Sequence, residues 1–405
     1  MSLSARRFQR GVYSGYRGTS IGPNGNRLNE MFGGNGNGSW INTPMPDTAA
    51  IHPDSATAVA DIVENISGHA TGTSYVSWPT LNYNSYTSTL NVIDSSKIPL
   101  QSISIYGGNA SASWAFPTAA MMYAGFPIPK GLQPTADTDG TIHLYDPDWK
   151  WPGRPSDTQY WGRVWELWGA LSPEQNVALG NDPIWTARIG GRLTGVNQRL
   201  SGHPINRTFQ ADVTTQASPT YGAPKAPNDT SSNTIYWGYG PDGVYESSAW
   251  MASASHLPMS HHILRLSDVV NGVVTHPLGF ALFPMFPVSE GSKGYVWPAN
   301  GYDGASRNWL KHGNRLRLPP GYVVTYPSGM PVSWRPFYDL FVNCFRDYGI
   351  IMVDTTGASF SMRAEPGVEK HYPSGFDGKS FLQYLPWSDM QMIVVGSDAG
   401  YYPPS

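Results

Sequence analysis

Cysteine and charged residues are both scarce in this chain. Among its 405 residues, Cys344 is the single cysteine, so the chain can form no internal disulfide and no cysteine-based zinc site. A metal site would need oxygen or histidine ligands. Charged residues make up 14% of the chain, against about 25% in an average globular protein. This composition argues against helical bundles and coiled coils, which need Glu, Lys and Ala in bulk.

An excess of positive charge and long apolar runs are also missing. Lys and Arg total 26 and Asp and Glu total 29, so no excess positive field is present to hold a phosphate backbone. We therefore expect no nucleic-acid partner. No stretch approaches the roughly 18 apolar residues of a membrane span, and residues 1–10 lead into a glycine-rich segment instead of an apolar signal core. We expect a chain made in a cytoplasm, without a signal peptide or a membrane span.

Aromatic residues, glycine and proline are abundant instead. Aromatics make up 13% of the chain, which also has 44 Gly and 35 Pro. From about residue 75 onward, short β-type runs such as 102–106 and 141–145 are separated by Gly, Pro and Asn clusters. The segments 55–67 and 334–348 have the apolar spacing of helices. The sequence predicts a mainly β fold of sandwich or jelly-roll type with two short helices.

Residues 1–48 differ in composition from the rest of the chain. They carry five arginines and the Gly/Asn-rich stretches 22–26 and 33–38, which cannot form a core of their own. We predict an extended N-terminal arm that attaches the chain to a partner, the alternative being a plain spacer. Residues 49–405 are expected to form the mainly β domain, with a C-terminal extension after about 360 as an option. Removing residues 2–45 should then leave the stability of the domain unchanged.

The tetrapeptide Tyr-Pro-Ser-Gly occurs twice, at residues 326–329 and 372–375. Proline at the second position and glycine at the fourth suit a type I turn. We predict the same turn at both places.

The common catalytic motifs give little support for an enzyme. Gly-x-Ser-x-Gly occurs at residues 18–22 and Gly-x-Gly-x-x-Gly at residues 238–243, but neither stands between a predicted strand and a predicted helix. The Walker pattern is absent, and Cys344 lies on the apolar side of a predicted helix. Glu166 is the most suggestive acid, because Trp165 and Trp168 flank it and burial would raise its pKa, as a glycosidase general acid requires. A strand would equally turn Glu166 toward solvent. No second acid can be assigned to it from spacing.

Three aspartates partly match a calcium-binding loop. Asp137, Asp139 and Asp146 have the matching spacing, with Asp146 six positions after Gly140. Thr135 stands where such loops carry their first carboxylate, so we favour an Asp-Gly hairpin turn at this place. We expect no cofactor.

The tryptophan content is the remaining feature of the sequence that could indicate a ligand. Flat aromatic faces stack on sugar rings, and a low charge content favours neutral, hydroxyl-rich ligands. Most indoles of a β protein pack in its core, so we expect only a minority to be exposed. The candidate carbohydrate-binding residues are Trp165, Trp168, Trp185 and Trp297.

Eight short segments between residues 139 and 354 follow one another in a recognisable order. This series resembles β-rich minor tail proteins of actinobacteriophages and related extracellular bacterial proteins, and it covers about half the chain. The segments are Asp-Gly-Thr-Ile-His-Leu-Tyr-Asp (139–146), Arg-Val-Trp-Glu-Leu-Trp (163–168), Ile-Trp-Thr-Ala-Arg-Ile-Gly-Gly-Arg (184–192), His-Leu-Pro-Met (256–259), Thr-His-Pro-Leu-Gly-Phe-Ala-Leu (275–282), Tyr-Val-Trp-Pro-Ala (295–299), Gly-Asn-Arg-Leu-Arg-Leu-Pro (313–319) and Arg-Asp-Tyr-Gly-Ile-Ile-Met-Val-Asp (346–354).

The resemblance implies a structural virion protein at a phage tail tip or tail fibre, which engages host-surface glycan. Its partners would be other tail subunits and further copies of itself, with a homotrimer favoured because tail tips are built on three-fold axes. The resemblance supplies no catalytic residue. The alternative is an extracellular glycan-cleaving enzyme, a glycosidase or lyase, that uses Glu166 on cell-wall polysaccharide.

Overall fold

A computed structural model of the chain contains five α-helices and fifteen strands in the residues that it describes. Those residues are 27–28, 44–68, 78–83, 86–105, 121–135, 139–150, 155–156, 161–194, 237–239, 245–247, 253–255, 257–283, 296, 299 and 310–394. The helices are α1 (Ser55–Ile66), α2 (Pro173–Ala178), α3 (Leu266–Asn271), α4 (Arg335–Asp347) and α5 (Gly378–Tyr384). The strands are β1 (Thr80–Asn82), β2 (Leu90–Val92), β3 (Gln101–Ile105), β4 (Met121–Phe126), β5 (Ile142–Asp146), β6 (Arg163–Trp168), β7 (Trp185–Ala187), β8 (Ile189–Thr194), β9 (Trp237–Tyr239), β10 (Tyr245–Ser247), β11 (Leu278–Leu282), β12 (Arg315–Arg317), β13 (Ile350–Thr355), β14 (Phe360–Arg363) and β15 (Gln391–Ile393).

The strands form three sheets and one antiparallel hairpin, β9–β10. Sheet A has the order β1-β14-β11-β13-β12-β15, sheet B the order β2-β5-β6-β8, and sheet C the order β4-β3-β7. Each of the three sheets combines parallel and antiparallel pairs. With 28% helix and 24% strand, the fold is mixed α/β. The prediction of a mainly β sandwich or jelly roll therefore holds only in part.

Both helices predicted from periodicity are confirmed, as α1 and α4. The apolar stripe of α4 packs over sheet A, where Phe337 and Phe341 each lie 5.1 Å from the Phe381 ring of α5. The chain leaves α4 at Gly349, whose φ of +73° is in the left-handed region. A side chain there would come within 3 Å of the Leu316 backbone oxygen. Glycine is therefore required at the point where α4 turns into β13.

Sheets B and C share a second core. Ile142 and Leu144 of β5 and Trp165 of β6 project from sheet B into it, and Ile103 and Phe126 project into it from sheet C. Because side chains alternate along a strand, the residues between them project from the opposite face of sheet B. That face is buried as well, since every residue of β5 is buried.

A connecting segment, residues 257–265, covers this second face of sheet B and joins it to sheet A. Its residue Leu264 forms a parallel bridge with Ala364 at the end of β14. The backbone nitrogen of Gly279 in β11 donates to the His262 oxygen at 2.5 Å. The connecting segment therefore lies between the two sheets and binds to both. None of the described helices has the length and apolar character needed to cross a membrane.

The described parts of the predicted N-terminal arm lie against the chain itself. Leu28 is buried, and the Arg27 guanidinium makes two hydrogen bonds of 2.8 Å to the Asp148 carboxylate. Met45 is also buried, and its backbone nitrogen donates to the Asp347 oxygen at 2.7 Å. The attachment of the arm to a partner stays a prediction, since most of residues 1–43 lie outside the described part.

Both Tyr-Pro-Ser-Gly tetrapeptides form the same turn, but it begins one residue later than predicted. The backbone nitrogen of Met330 donates to the Pro327 oxygen at 3.2 Å, and the nitrogen of Phe376 donates to the Pro373 oxygen at 3.0 Å. Proline is thus the first turn residue and glycine the third, with φ of +84° at Gly329 and +72° at Gly375. A positive φ at the third position is typical of type II turns, so the predicted type I register was wrong.

Candidate functional site

Glu166 lies in the middle of β6, directly opposite His143 of β5. Paired residues of antiparallel strands project to the same side, so both side chains face the connecting segment. His143 Nδ1 and Glu166 Oε1 are 2.5 Å apart, and both side chains are 0% exposed. An ionised carboxylate can only accept, so His143 donates through Nδ1.

Glu166 also binds the backbone of the connecting segment. Its Oε1 atom accepts a second hydrogen bond, of 2.6 Å, from the backbone nitrogen of Met259. One carboxylate oxygen thus joins β6, β5 and the connecting segment. Sequence reasoning missed this partner, because Met259 contributes only its backbone from a position 93 residues away.

His262 is a second buried histidine of this junction. Burial, helped by the nearby charges of Arg363 and His276, lowers its pKa to about 3. A side chain at Gly279 would come within 2.6 Å of His262 Nδ1, so β11 encloses the ring closely. In the described structure the Nε2 atoms of His262 and His143 have no hydrogen-bond partner. His262 is therefore held neutral in the folded protein.

The first turn of α3 adds another buried polar network. Asp268 Oδ2 accepts from His276 Nε2 at 3.0 Å and from the backbone nitrogen of Arg265 at 2.7 Å. The Arg265 guanidinium donates to the Ser260 backbone oxygen, with distances of 2.7 and 2.9 Å. These charged side chains satisfy backbone groups that the sheets leave unpaired. Within the described residues, no three His, Cys, Asp or Glu side chains are placed to hold a metal ion.

This geometry suits a structural role, in which Glu166 links two strands to the connecting segment, better than it suits glycoside hydrolysis. A general acid must reach the glycosidic oxygen of its substrate within hydrogen-bonding distance, and Glu166 has no solvent-exposed surface. Its facing group is the imidazole of His143, whereas hydrolysis would need a second carboxylate across the scissile bond. Glu166 alternates with Trp165 as predicted for a strand, but both faces of this strand are buried.

The four candidate sugar-binding tryptophans are not brought together as one site. Trp165 and Trp185 are only 2% and 8% exposed and belong to the core between sheets B and C. Trp168 is half-buried, with the Arg188 guanidinium 5.6 Å from its ring centre, and Trp297 lies outside the described residues. Sequence reasoning missed the exposed indole of Trp78, which is 47% accessible.

The candidate calcium ligands are also separate. Asp146 is the last residue of β5, whereas Asp139 lies in the turn before that strand begins at Ile142. Asp146 accepts from the backbone nitrogens of Ser95 and Asp148 at 2.8 and 2.9 Å, and burial raises its pKa. Asp137 lies outside the described residues.

Comparisons of the chain with protein-family models, curated proteins and solved structures find no match. A functional proposal therefore depends on the residues themselves.

Proposed function

We propose that this chain is a structural protein of a phage tail, a minor tail protein of the tip or fibre, that engages host-surface glycan without cleaving it. The observation that carries the proposal is the full burial of Glu166, the best catalytic candidate, where it binds the neighbouring strand and the connecting segment. The rival function as a glycosidase or lyase loses its candidate acid, because the buried Glu166 carboxylate cannot reach a substrate.

Several of the segments that resemble tail proteins form the buried junction between sheet B, the connecting segment and sheet A, which supports the proposal. Residues 139–146 and 163–168 contain β5 and β6, residues 256–259 include the backbone partner of Glu166, and residues 275–282 contain β11. These segments meet at the buried junction. We further propose that sheets B and C, which share one core, form the β-sandwich part of the fold.

We also propose that the protein is made in the host cytoplasm and assembles into the virion as a homotrimer beside other tail subunits. Exposed apolar side chains support such association. Val177, Leu179 and Ile184 are all exposed in and just after α2, and Val270 and Val273 are exposed at the end of α3. Burying such side chains between subunits is favourable.

The proposal is tested by incubating the purified chain with actinobacterial arabinogalactan or peptidoglycan and assaying released reducing ends. We expect no release. We expect Glu166→Gln to lower the melting temperature, because the buried carboxylate accepts two hydrogen bonds. The matched variant Glu64→Gln changes an exposed glutamate of α1 and should leave stability nearly unchanged. Turnover by the wild type that disappears in Glu166→Gln would favour the enzyme instead.

A further inference from the structure

The end of α2 and the loop after it expose a run of apolar side chains. All eight residues of the stretch 177–184 are exposed, and Val177, Leu179 and Ile184 are 42% to 65% accessible. Leu100, 65% accessible, directly precedes β3, whose parallel partner β7 begins just after the stretch, so it lies at the same end of sheet C. We call residues 177–184 and Leu100 the α2 loop surface. Clustered exposed apolar side chains are typical of a protein–protein contact.

Asn176 holds this stretch in a fixed conformation. Its side-chain nitrogen donates to the Ile184 backbone oxygen at 2.8 Å and to Thr186 Oγ1 at 3.0 Å. The backbone nitrogen of Asn181 donates to the Asn176 backbone oxygen at 2.9 Å, and a capping box fixes the start of α2. A loop that is ordered before binding loses little conformational entropy when it docks. The exposed apolar side chains are therefore preorganised for a partner.

The charge of the α2 loop surface indicates which partner it fits. Residues 172–187 include two exposed acids, Glu174 and Asp182, and no lysine or arginine. Lys97, just before β3, pairs with Asp94 at 2.9 Å. Two copies of this surface facing each other would bring like charges together, which is unfavourable at an interface. A partner should therefore combine apolar side chains with positive charge.

The end of α3 has this combination. Val270 and Val273 are exposed, and neither they nor the two residues between them are charged. The short 3₁₀ helix Val368–His371 packs against α3 and exposes Lys370. The single acid of that helix, Glu369, accepts from a backbone nitrogen at 2.7 Å. We call Val270, Val273 and Lys370 the α3 surface, which is apolar and positively charged.

The two surfaces lie on different parts of the molecule. The α2 loop surface adjoins β7 of sheet C, whereas α3 packs on the core of sheet A. One copy can therefore place its α2 loop surface on the next copy and keep its α3 surface for a third. Such head-to-tail contacts form a ring when the rotation closes.

We propose that the α2 loop surface of one copy docks on the α3 surface of a second copy of this chain, with Asp182 facing Lys370. The apolar side chains of both surfaces are removed from water, and the opposite charges fix the register. The inference rests on the proposed function, because it names the subunit contact of the homotrimer.

The test is size-exclusion chromatography with light scattering on the full chain at micromolar concentration. The monomer has a mass of 44.3 kDa, and we expect a species of three times that mass. Leu179→Asp should shift the chain to the monomer, because it places an unpaired carboxylate in the apolar contact. The matched control Val323→Asp changes a residue that is 77% accessible and lies outside both surfaces, and it should leave the mass unchanged.

Charge exchange tests the pairing of the two surfaces. Asp182→Lys and Lys370→Glu should each weaken association about tenfold. The double variant restores opposite charges and should associate nearly as well as the wild type. Melting curves verify that every variant is folded.

A wild-type oligomer that persists in folded Leu179→Asp would overturn this inference and leave the proposed homotrimer standing. A double variant that associates no better than the single variants would overturn the pairing of the two surfaces. A wild type that stays at 44.3 kDa would contradict both the inference and the homotrimer, but not the engagement of host-surface glycan.

Discussion

Single buried side chains hold the connecting segment in place. Glu166 accepts from the Met259 backbone, and Arg265 donates to the Ser260 backbone. Directly after the segment, Glu365 Oε2 accepts from the Leu266 backbone at the start of α3, at 2.9 Å. An irregular buried segment needs such partners, since its amide groups are not paired within a sheet. Glu166, the candidate catalytic acid, thus stabilises the fold together with Arg265 and Glu365.

His262 should make the stability of the protein depend on pH. Its pKa is about 3 in the folded state and about 6.5 in an unfolded chain, so below pH 6.5 the unfolded state binds more protons. The stability contributed by the neutral ring is present above pH 6.5 and is lost as the pH falls toward 3. The loss is about 1 kcal/mol per pH unit. Urea unfolding of the wild type and His262→Gln between pH 7 and pH 4 measures it.

The wild type should lose stability on acidification more steeply than His262→Gln. His52→Gln, at a partly exposed histidine, controls for the loss of an imidazole and should follow the wild type. Parallel curves for the wild type and His262→Gln would contradict the expected role of His262.

Among the elements, length decided what could be predicted. α1 and α4 span three or more turns, so their periodicity was visible, and the runs at 102–106 and 141–145 correspond to β3 and β5. α2, α3 and α5 have six or seven residues, too few to establish a period. The site was predictable only as far as Glu166 itself. Its partners depend on strand register and on a backbone contact across 93 residues.

The close approach of β11 to the connecting segment predicts the effect of one methyl group. Gly279→Ala would place a carbon 2.6 to 2.9 Å from the His262 ring and its Cβ. We expect a loss of about 1–3 kcal/mol in the free energy of unfolding, because the buried ring has no room to move. Gly357→Ala is the matched control, since nothing lies within 4 Å of its added carbon. Equal urea midpoints for the two variants would contradict the packing described here.

At the scale of the whole molecule, the folded unit includes part of the N-terminal region. Arg27 pairs with Asp148, and Leu28 and Met45 are buried, so the boundary of the stable unit does not coincide with the Gly/Asn-rich composition. Composition indicated where a segment cannot nucleate a core. It could not show where isolated apolar residues of that segment would pack.

Two truncations measure how much the packed residues Arg27, Leu28 and Met45 contribute to stability. The first truncation removes residues 2–26 and keeps Arg27, Leu28 and Met45. Removing residues 2–45 should cost at least about 2 kcal/mol, since it deletes two buried apolar side chains and the bidentate ion pair. This corrects the expectation, drawn from composition alone, of unchanged stability. Equal unfolding curves for the two truncations would show that the packed residues do not contribute to stability, and the expectation from composition would then stand.

The proposal of a tail protein is tested most directly by immunogold electron microscopy of particles of a phage that carries this gene. An antibody raised against the purified chain should label one end of the tail. The label should be absent from particles of a mutant phage from which the gene has been deleted. Unlabelled tails, with the protein recovered only in the soluble fraction of the lysate, would contradict a structural role in the virion.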